Sequence, residues 1–428
     1  MTHRRAFAAV LVATLALVSV ACSSGKKSGT AAGTSASTAA GSSASTAAGS
    51  TASTAKTPTG TPLKFYVIGP SPDDSKNDSS TGKMGVDAAV KEINDAGGVA
   101  NHPLQAVFCG DGVGTNQNKI AECARTATGD PDVSAVVWAT SNFGSSMDPV
   151  LEQAGMACVG CDAFTPADFT SKIYYTTTAG SLSVAGLAAT AADVLHAKKI
   201  GLVIPDVATA HQIQPLINGL VLKSRGLALD KVVYVPLDAV DLTAQAAQLS
   251  GEDAVINTLL QSNSPAFMTA LRQQGSNAQV LVSGGVYGSS AIGKQFGDNA
   301  NGVLAGSVFD HTSPGYAQYQ AAAKAINQLG GALDSDQATE AYVAVQLFAQ
   351  IATQLNGNVS RASVLSTISG MTAFDFKGIT PAINFSVPGT FVGGSLPAIR
   401  NDAVTLQKYG GGKLTPQGSG FTHIFSKS

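Results

Sequence analysis

The chain has 428 residues, 44% of them hydrophobic and 13% charged, with a formal net charge of −2. That length exceeds one ordinary hydrophobic core. The near-neutral balance offers no basic field, which excludes a surface built for nucleic acid, and no strongly charged run follows the first residues.

Met1-Thr-His-Arg-Arg5 is basic, and Ala6 to Val20 is an apolar run too short to span a membrane with ordinary flanks. This is the pattern of a secretory signal. It ends in Ser19-Val20-Ala21-Cys22, followed by Ser23-Ser24-Gly25, which resembles a bacterial lipobox with Ser19 where Leu is commoner. Cleavage before Cys22 leaves residues 1–21 as the signal and makes Cys22 the acyl-bearing residue of the mature chain. From Thr30 the sequence repeats with a period of eight, as TAAGTSAS, TAAGSSAS and TAAGSTAS. Without large apolar residues, 22–62 cannot offset its chain entropy by burial and reads as a disordered tether. About 40 flexible residues have an r.m.s. span of about 35 Å.

Residues 63–428 alternate strand and helix signals. Leu63–Ile68 reads as a strand, then 69–80 as a polar loop in which Asp73 and Asp74 are candidates to line the mouth of a site. The helix Thr81–Ala96 stops at Gly97-Gly98. Leu104–Phe108 is a second strand and Asn116–Thr126 a second helix. The stretch from Ala135 to Pro166 organises the rest. Its buried strand Ala135–Ala139 breaks into Thr140-Ser141-Asn142 before a short helix, Met147–Gln153. A second strand, Ala157–Gly160, ends in Cys161-Asp162-Ala163-Phe164-Thr165-Pro166. Two neighbouring strands that both end in small polar loops make a crevice at the carboxyl edge of a sheet, where ligands bind. Hydroxyls and free helix N-terminal amides there suit an anionic group such as a carboxylate.

After Ile173–Thr177 the series restarts. Leu182–His196 reads as a helix, Ile200–Ile204 as a strand, then a helix over 211–225, strand Lys231–Val235, helix Leu242–Leu249, strand Ala254–Asn257, helix Pro265–Gln274, and strands Val280–Ser283 and Val303–Val308. Helices over 315–329, 335–355 and 361–369 lack strands between them and pack back on the first lobe. The fold class is α/β, with two doubly wound lobes. Beside Cys22, the four cysteines Cys109, Cys123, Cys158 and Cys161 form an even set outside the cytosol, which points to disulfides. Cys109–Cys123 with Cys158–Cys161 is the first of three pairings that four cysteines allow.

Enzyme signatures are missing. Cys158-Val-Gly-Cys161 has redox spacing but closes a strand instead of opening a helix. The six histidines form neither an i, i+4 pair nor HExxH. There is no GxSxG elbow and no P-loop lysine, and Gly110-Asp-Gly-Val-Gly114 reads as a turn. No metal or cofactor is expected.

Gly85-Val-Asp-Ala-Ala-Val-Lys-Glu-Ile-Asn-Asp-Ala-Gly-Gly-Val99, the loop Thr140-Ser141-Asn142, and Gly155 to Pro166 resemble the type I periplasmic solute-binding proteins, specifically the branched-chain amino-acid-binding group that serves ABC importers. The resemblance covers nearly all of 63–428. It implies two lobes, 63–180 plus 309–398 and 181–308 plus 399–428, joined by crossovers near Ala179–Leu182, Ser307–Thr312 and Leu396–Val404. It further implies closure over a small-molecule ligand by a monomer whose partner is an ABC permease. The loops at Ser141-Asn142 and Ala163-Phe164 match those that hold the ligand's carboxylate in that family. The family's covering aromatic residue falls near Ala210 and its ammonium-pairing acid near Gly284, and neither type is retained. These departures argue against an ordinary branched-chain amino acid and toward amides, carboxylates or other solutes. Tyr287 is the candidate replacement aromatic, Asp206 and Asp310 the candidate charges, and His211 a candidate facing the cleft. A ligand-sensing receptor and an exported enzyme on the same scaffold are the alternative functions.

Overall fold

The computed structural model describes residues 57–69, 80–110, 116–206, 211, 213–259, 262–284, 296–326 and 335–425, all within the compact unit Thr54–Ser428. Cys22, the signal and nearly all of the tether, with Asp73, Asp74, Ala210 and Tyr287, lie outside the described residues.

The first lobe is built on β1 (Leu63–Gly69), α1 (Ser80–Asp95), β2 (Leu104–Gly110), α2 (Gln117–Gly129), β3 (Val133–Ala139), α3 (Gly144–Gln153), β4 (Cys158–Val159), α4 (Pro166–Thr170) and β5 (Tyr174–Tyr175). Its sheet runs β2-β1-β3-β4-β5, and every described pairing is parallel. All seven residues of β3 are buried, which explains its unbroken apolar run: a parallel sheet covered on both faces needs no alternation. Asn116 caps α2, its side chain accepting from Lys119 N at 3.1 Å.

The second lobe takes α5 (Ser183–Asp193), β6 (Ile200–Pro205), α6 (Ile213–Leu216), β7 (Lys231–Val235), α7 (Thr243–Leu249), β8 (Ala254–Asn257), α8 (Ser264–Gln273), β9 (Gln279–Ser283) and β10 (Leu304–Ser307). A π-helical stretch, Ile217–Leu222, extends α6. The chain then supplies α9 (Pro314–Ala325), α10 (Asp336–Gln354) and α11 (Arg361–Gly370), followed by β11 (Ala403–Gly410) and β12 (Lys413–His423). The sheet order is β12-β11-β10-β9-β8-β6-β7, parallel except for β11 and β12.

Helices α9 and α10 pack on α1. Glu92 of α1 joins all three, accepting from Tyr342 Oη at 2.5 Å, Gln346 Nε2 at 3.0 Å and Gln318 Nε2 at 2.8 Å. The backbones approach so closely that a Cβ on Gly85 would lie 2.0 Å from Ala338 O. This contact explains the glycine in α1, where helix propensity alone disfavours it.

The chain passes between the two layers at residues 176–182, 308–313 and 398–402. The strand expected over Ile173–Thr177 shrinks to Tyr174–Tyr175 because the next polar groups bind another crossover. Thr176 Oγ1 donates to Ala398 O at 3.1 Å, and Thr177 O accepts from Asn401 Nδ2 at 2.9 Å. The hairpin β11–β12 was not anticipated. Pro416 and the glycines of 410–420 obscure its alternation, and a register shift between Val404 and Leu406 breaks it again. Both disulfides of the first pairing are present, Cys109–Cys123 joining the end of β2 to α2 and Cys158–Cys161 closing the loop after β4.

Candidate functional site

The two loops singled out in the sequence stand side by side, with Asp162 N donating to Ala139 O at 2.9 Å. Three of their amide donors, however, are already engaged by side chains. Ser141 Oγ accepts from Phe143 N at 3.0 Å, and Ser141 is buried. Thr165 and Asp168 form a capping box at the start of α4. Asp168 Oδ2 accepts from Phe164 N at 2.8 Å and from Thr165 N at 2.7 Å. The protein thus supplies its own acceptor to two of the amides open to a ligand carboxylate there. Behind it, neither oxygen of buried Asp148 has a donor among the described residues. Burial, then the neighbouring Asp168 charge, raises the Asp148 carboxyl to about 9, so a proton on Asp148 satisfies this pair at neutral pH.

In front of the loops lies a cleft with a cavity volume of about 340 Å³. Asp162 and Phe164 line it from the first lobe; Ser183, Val184 and Ser283 line it from the second. Thr178, Gly180, Ser181 and Val308 come from the crossovers, and Asp336, Gln337 and Glu340 from the first turns of α10. Helix α10 starts here because Ser335 caps it, accepting from Ala338 N at 3.4 Å.

The cleft is acidic. Glu340 is 4% exposed, and its Oε1 accepts from Thr178 Oγ1 at 2.6 Å. Its other close polar neighbours are the Asp162 carboxyl and the Trp138 indole. The Trp138 indole N–H is near enough to favour the charged form but closes no hydrogen bond of its own. Burial raises the Glu340 carboxyl to about 7. The Asp162 carboxyl faces it and is pushed well above the usual range, first by burial and then by the Glu340 charge. Asp336 differs, being partnered: its oxygens accept from Ser307 Oγ at 2.6 Å and Val308 N at 3.1 Å, with His311 Nε2 at 3.7 Å. A Cβ built on Gly284 would meet Gly306 O at 2.0 Å and Asp336 Oδ2 at 3.0 Å. No side chain fits at 284, and the carboxylate beside that position arrives from α10.

Of the candidate contacts among the described residues, Phe164 lines the cleft and is 40% exposed. Ala163 is buried, and its carbonyl accepts from Ser181 N at 2.9 Å. Asn142 is exposed. Asp206 and His211 pair with each other at 2.8 Å, and His211 stacks on Tyr234 with ring centroids 4.0 Å apart. Asp310 caps the turn before α9, accepting from Thr312 N at 2.8 Å and Thr312 Oγ1 at 2.6 Å. Neither Ser141, Asn142, Asp206, His211 nor Asp310 is among the cleft-lining residues described above. Sequence reasoning missed Asp162, Asp336 and Glu340. One signal was available: Asp336 and Glu340 stand at i, i+4 in an otherwise uncharged helix with no basic residue to pair them. Among the described residues, no group of three or more His, Cys, Asp or Glu is arranged to hold a metal ion.

Two doubly wound lobes, three crossovers and a cleft at the carboxyl edges of both sheets define the type I periplasmic binding protein fold. The family model described as periplasmic binding protein matches residues 67–391, and the chain belongs to that family. Three solved structures show the same architecture. An ABC transporter substrate-binding protein from Sphaerobacter thermophilus is 15% identical with a TM-score of 0.69, covering 86% of this chain and 99% of its own. A solute-binding protein of an ABC transporter from Rhodopseudomonas palustris HaA2, in complex with p-hydroxybenzoic acid, is 17% identical with a TM-score of 0.66, covering 86% and 98%. A leucine-binding protein from Thermotoga maritima is 16% identical with a TM-score of 0.61, covering 83% and 98%. A search of curated proteins returns no match.

Proposed function

We propose that this protein is an extracytoplasmic solute-binding protein, anchored through lipidated Cys22, that captures a small polar solute and delivers it as a closed monomer to an ABC importer. The observation that carries the reading is the composition of the cleft wall, which draws on both lobes and on the crossovers between them. A solute filling it touches both lobes and stabilises the closed state by its differential affinity for that state. The moving bodies are 63–180 with 309–398 and 181–308 with 399–428. Capture needs no bond chemistry. The signal-like segment and the residues around Cys22 support the anchor, and family membership supports the extracytoplasmic location.

Thermal shift of the full chain against a panel of amino acids, amides, amines, short carboxylates and aromatic acids tests the reading, since a ligand of the native state raises the melting temperature by mass action. A solute that raises it and also reduces the radius of gyration in solution scattering supports capture by closure. A panel without any such solute refutes it. Cys22→Ser releases the chain from the membrane fraction if the anchor is as proposed.

A further inference from the structure

The charge of the cleft goes beyond its existence. Three carboxyl groups line it, and among the described residues no lysine or arginine does. Asp336 is held by Ser307, Val308 and, more distantly, His311. Among the described residues, no cation pairs with Asp162 or Glu340. Glu340 is more than nine-tenths buried and lines the cleft, and its near polar neighbours among the described residues, Thr178, Trp138 and Asp162, include no cation. Beside the two acids, Phe164 keeps 40% of its surface exposed, at the cleft wall. An exposed aromatic ring next to desolvated carboxylates is the combination that attracts an organic cation, through the ring quadrupole and through charge. A metal ion is disfavoured by the arrangement of the same groups. An anionic head is disfavoured too, because two of the loop amides that would receive it are bonded to Asp168 and the carboxyl groups lining the cleft repel it.

We infer that the solute carries an organic cationic head with no carboxylate beside it, an ammonium, quaternary ammonium or amidinium group, seated between Asp162 and Glu340 with Phe164 as its aromatic wall. This rests on the cleft being the ligand site. Facing the pair are the Thr178 hydroxyl, the Trp138 indole, and the carboxyls of Asp168 and Asp336. In the empty cleft the two acids share protons, since burial and mutual repulsion disfavour two charges. An entering cation restores the charged forms and expels a proton to solvent.

Calorimetric titration of the full chain with choline, agmatine and putrescine tests this, beside 3,3-dimethylbutan-1-ol as the uncharged isostere of choline, and leucine and 4-hydroxybenzoate. The expected result is binding by at least one of the three cations, tighter at about pH 8 than at about pH 6, with proton release read from two buffers of different ionisation enthalpy. Glu340→Gln weakens that cation by about 10- to 100-fold, as for loss of a hydrogen bond to a charged group, and removes most of the pH dependence. Asp162→Asn acts in the same direction and serves if the first variant does not fold. Tightest binding by the alcohol, leucine or 4-hydroxybenzoate, or a cation indifferent to both substitutions, overturns the inference and leaves the capture reading standing. Binding by none of the six, in a protein that also fails the wider thermal-shift panel, overturns both.

Discussion

Glu340 gives the protein a dependence of stability on pH whose sign is fixed by the structure. Its carboxyl titrates near 7 in the fold against an ordinary value of 4.5. Between those values the native state holds a proton that the unfolded chain has released, so stability falls as pH rises through this window. With about 1.4 kcal/mol for each unit, the loss from about pH 5 to about pH 8 comes to about 2 to 3 kcal/mol. Glu340 is 4% exposed, so solvent screening takes little from this figure. Glu340→Gln removes the titration while keeping an oxygen for the Thr178 hydroxyl, and it frees Asp162 from a like-charged neighbour. Urea midpoints of the native chain and the variant across that range are the assay, with m-values checked for constancy. The variant is expected to be more stable by about 2 to 3 kcal/mol at the alkaline end and nearly equal at about pH 4. Parallel pH profiles for the two proteins refute the reasoning.

Three further outcomes follow from packing and covalent structure. Gly85→Val drives a branched side chain into Ala338 O, where even a Cβ lies at 2.0 Å, and lowers stability by about 3 kcal/mol in denaturant titration. Arg225→Ala strands Asp193, which now accepts from Arg225 Nε at 2.9 Å and Nη2 at 2.7 Å, and costs about 3 to 5 kcal/mol in the same assay. Cys109→Ala with Cys123→Ala opens a link of sequence separation 14 and costs about 3 kcal/mol; reductant then shifts the variant's midpoint less than it shifts that of the native chain.

Elements with one dominant period were legible in the chain. The apolar runs of β1 and β3 and the spaced apolar residues of α1 lead directly to their observed places, because covered parallel strands and amphipathic helices carry local signatures. The edge of the crevice was legible for the same reason, as strand ends followed by polar loops. The chemistry of the cleft was not. Thr178 and Glu340 meet across 162 residues of sequence, and local spacing says nothing of such a contact. The anion site expected at Ala163-Phe164 depended on free amides, and the Asp168 that takes the Phe164 amide reads in the sequence as an ordinary first-turn acid. The place near Gly284 looked empty of charge because the nearby carboxylate enters from a different helix.

Where the chain can be held follows from the direction of the strands. Thr59 and Gly60 lie against Asn101, and Leu63 N donates to Pro103 O, so residues entering β1 sit at the sheet edge opposite the cleft. Seven residues of β1 put about 20 Å of protein between that edge and the ligand loops. The last described residues end elsewhere. His423, Ile424 and Phe425 are bonded to Asp402 at the third crossover, with Arg225 gripping the carbonyls of His423 and Ile424. A surface or fusion partner attached ahead of β1 pulls on the floor of one lobe and leaves the mouth clear. The same load applied after Phe425 falls on the third crossover, between the two lobes.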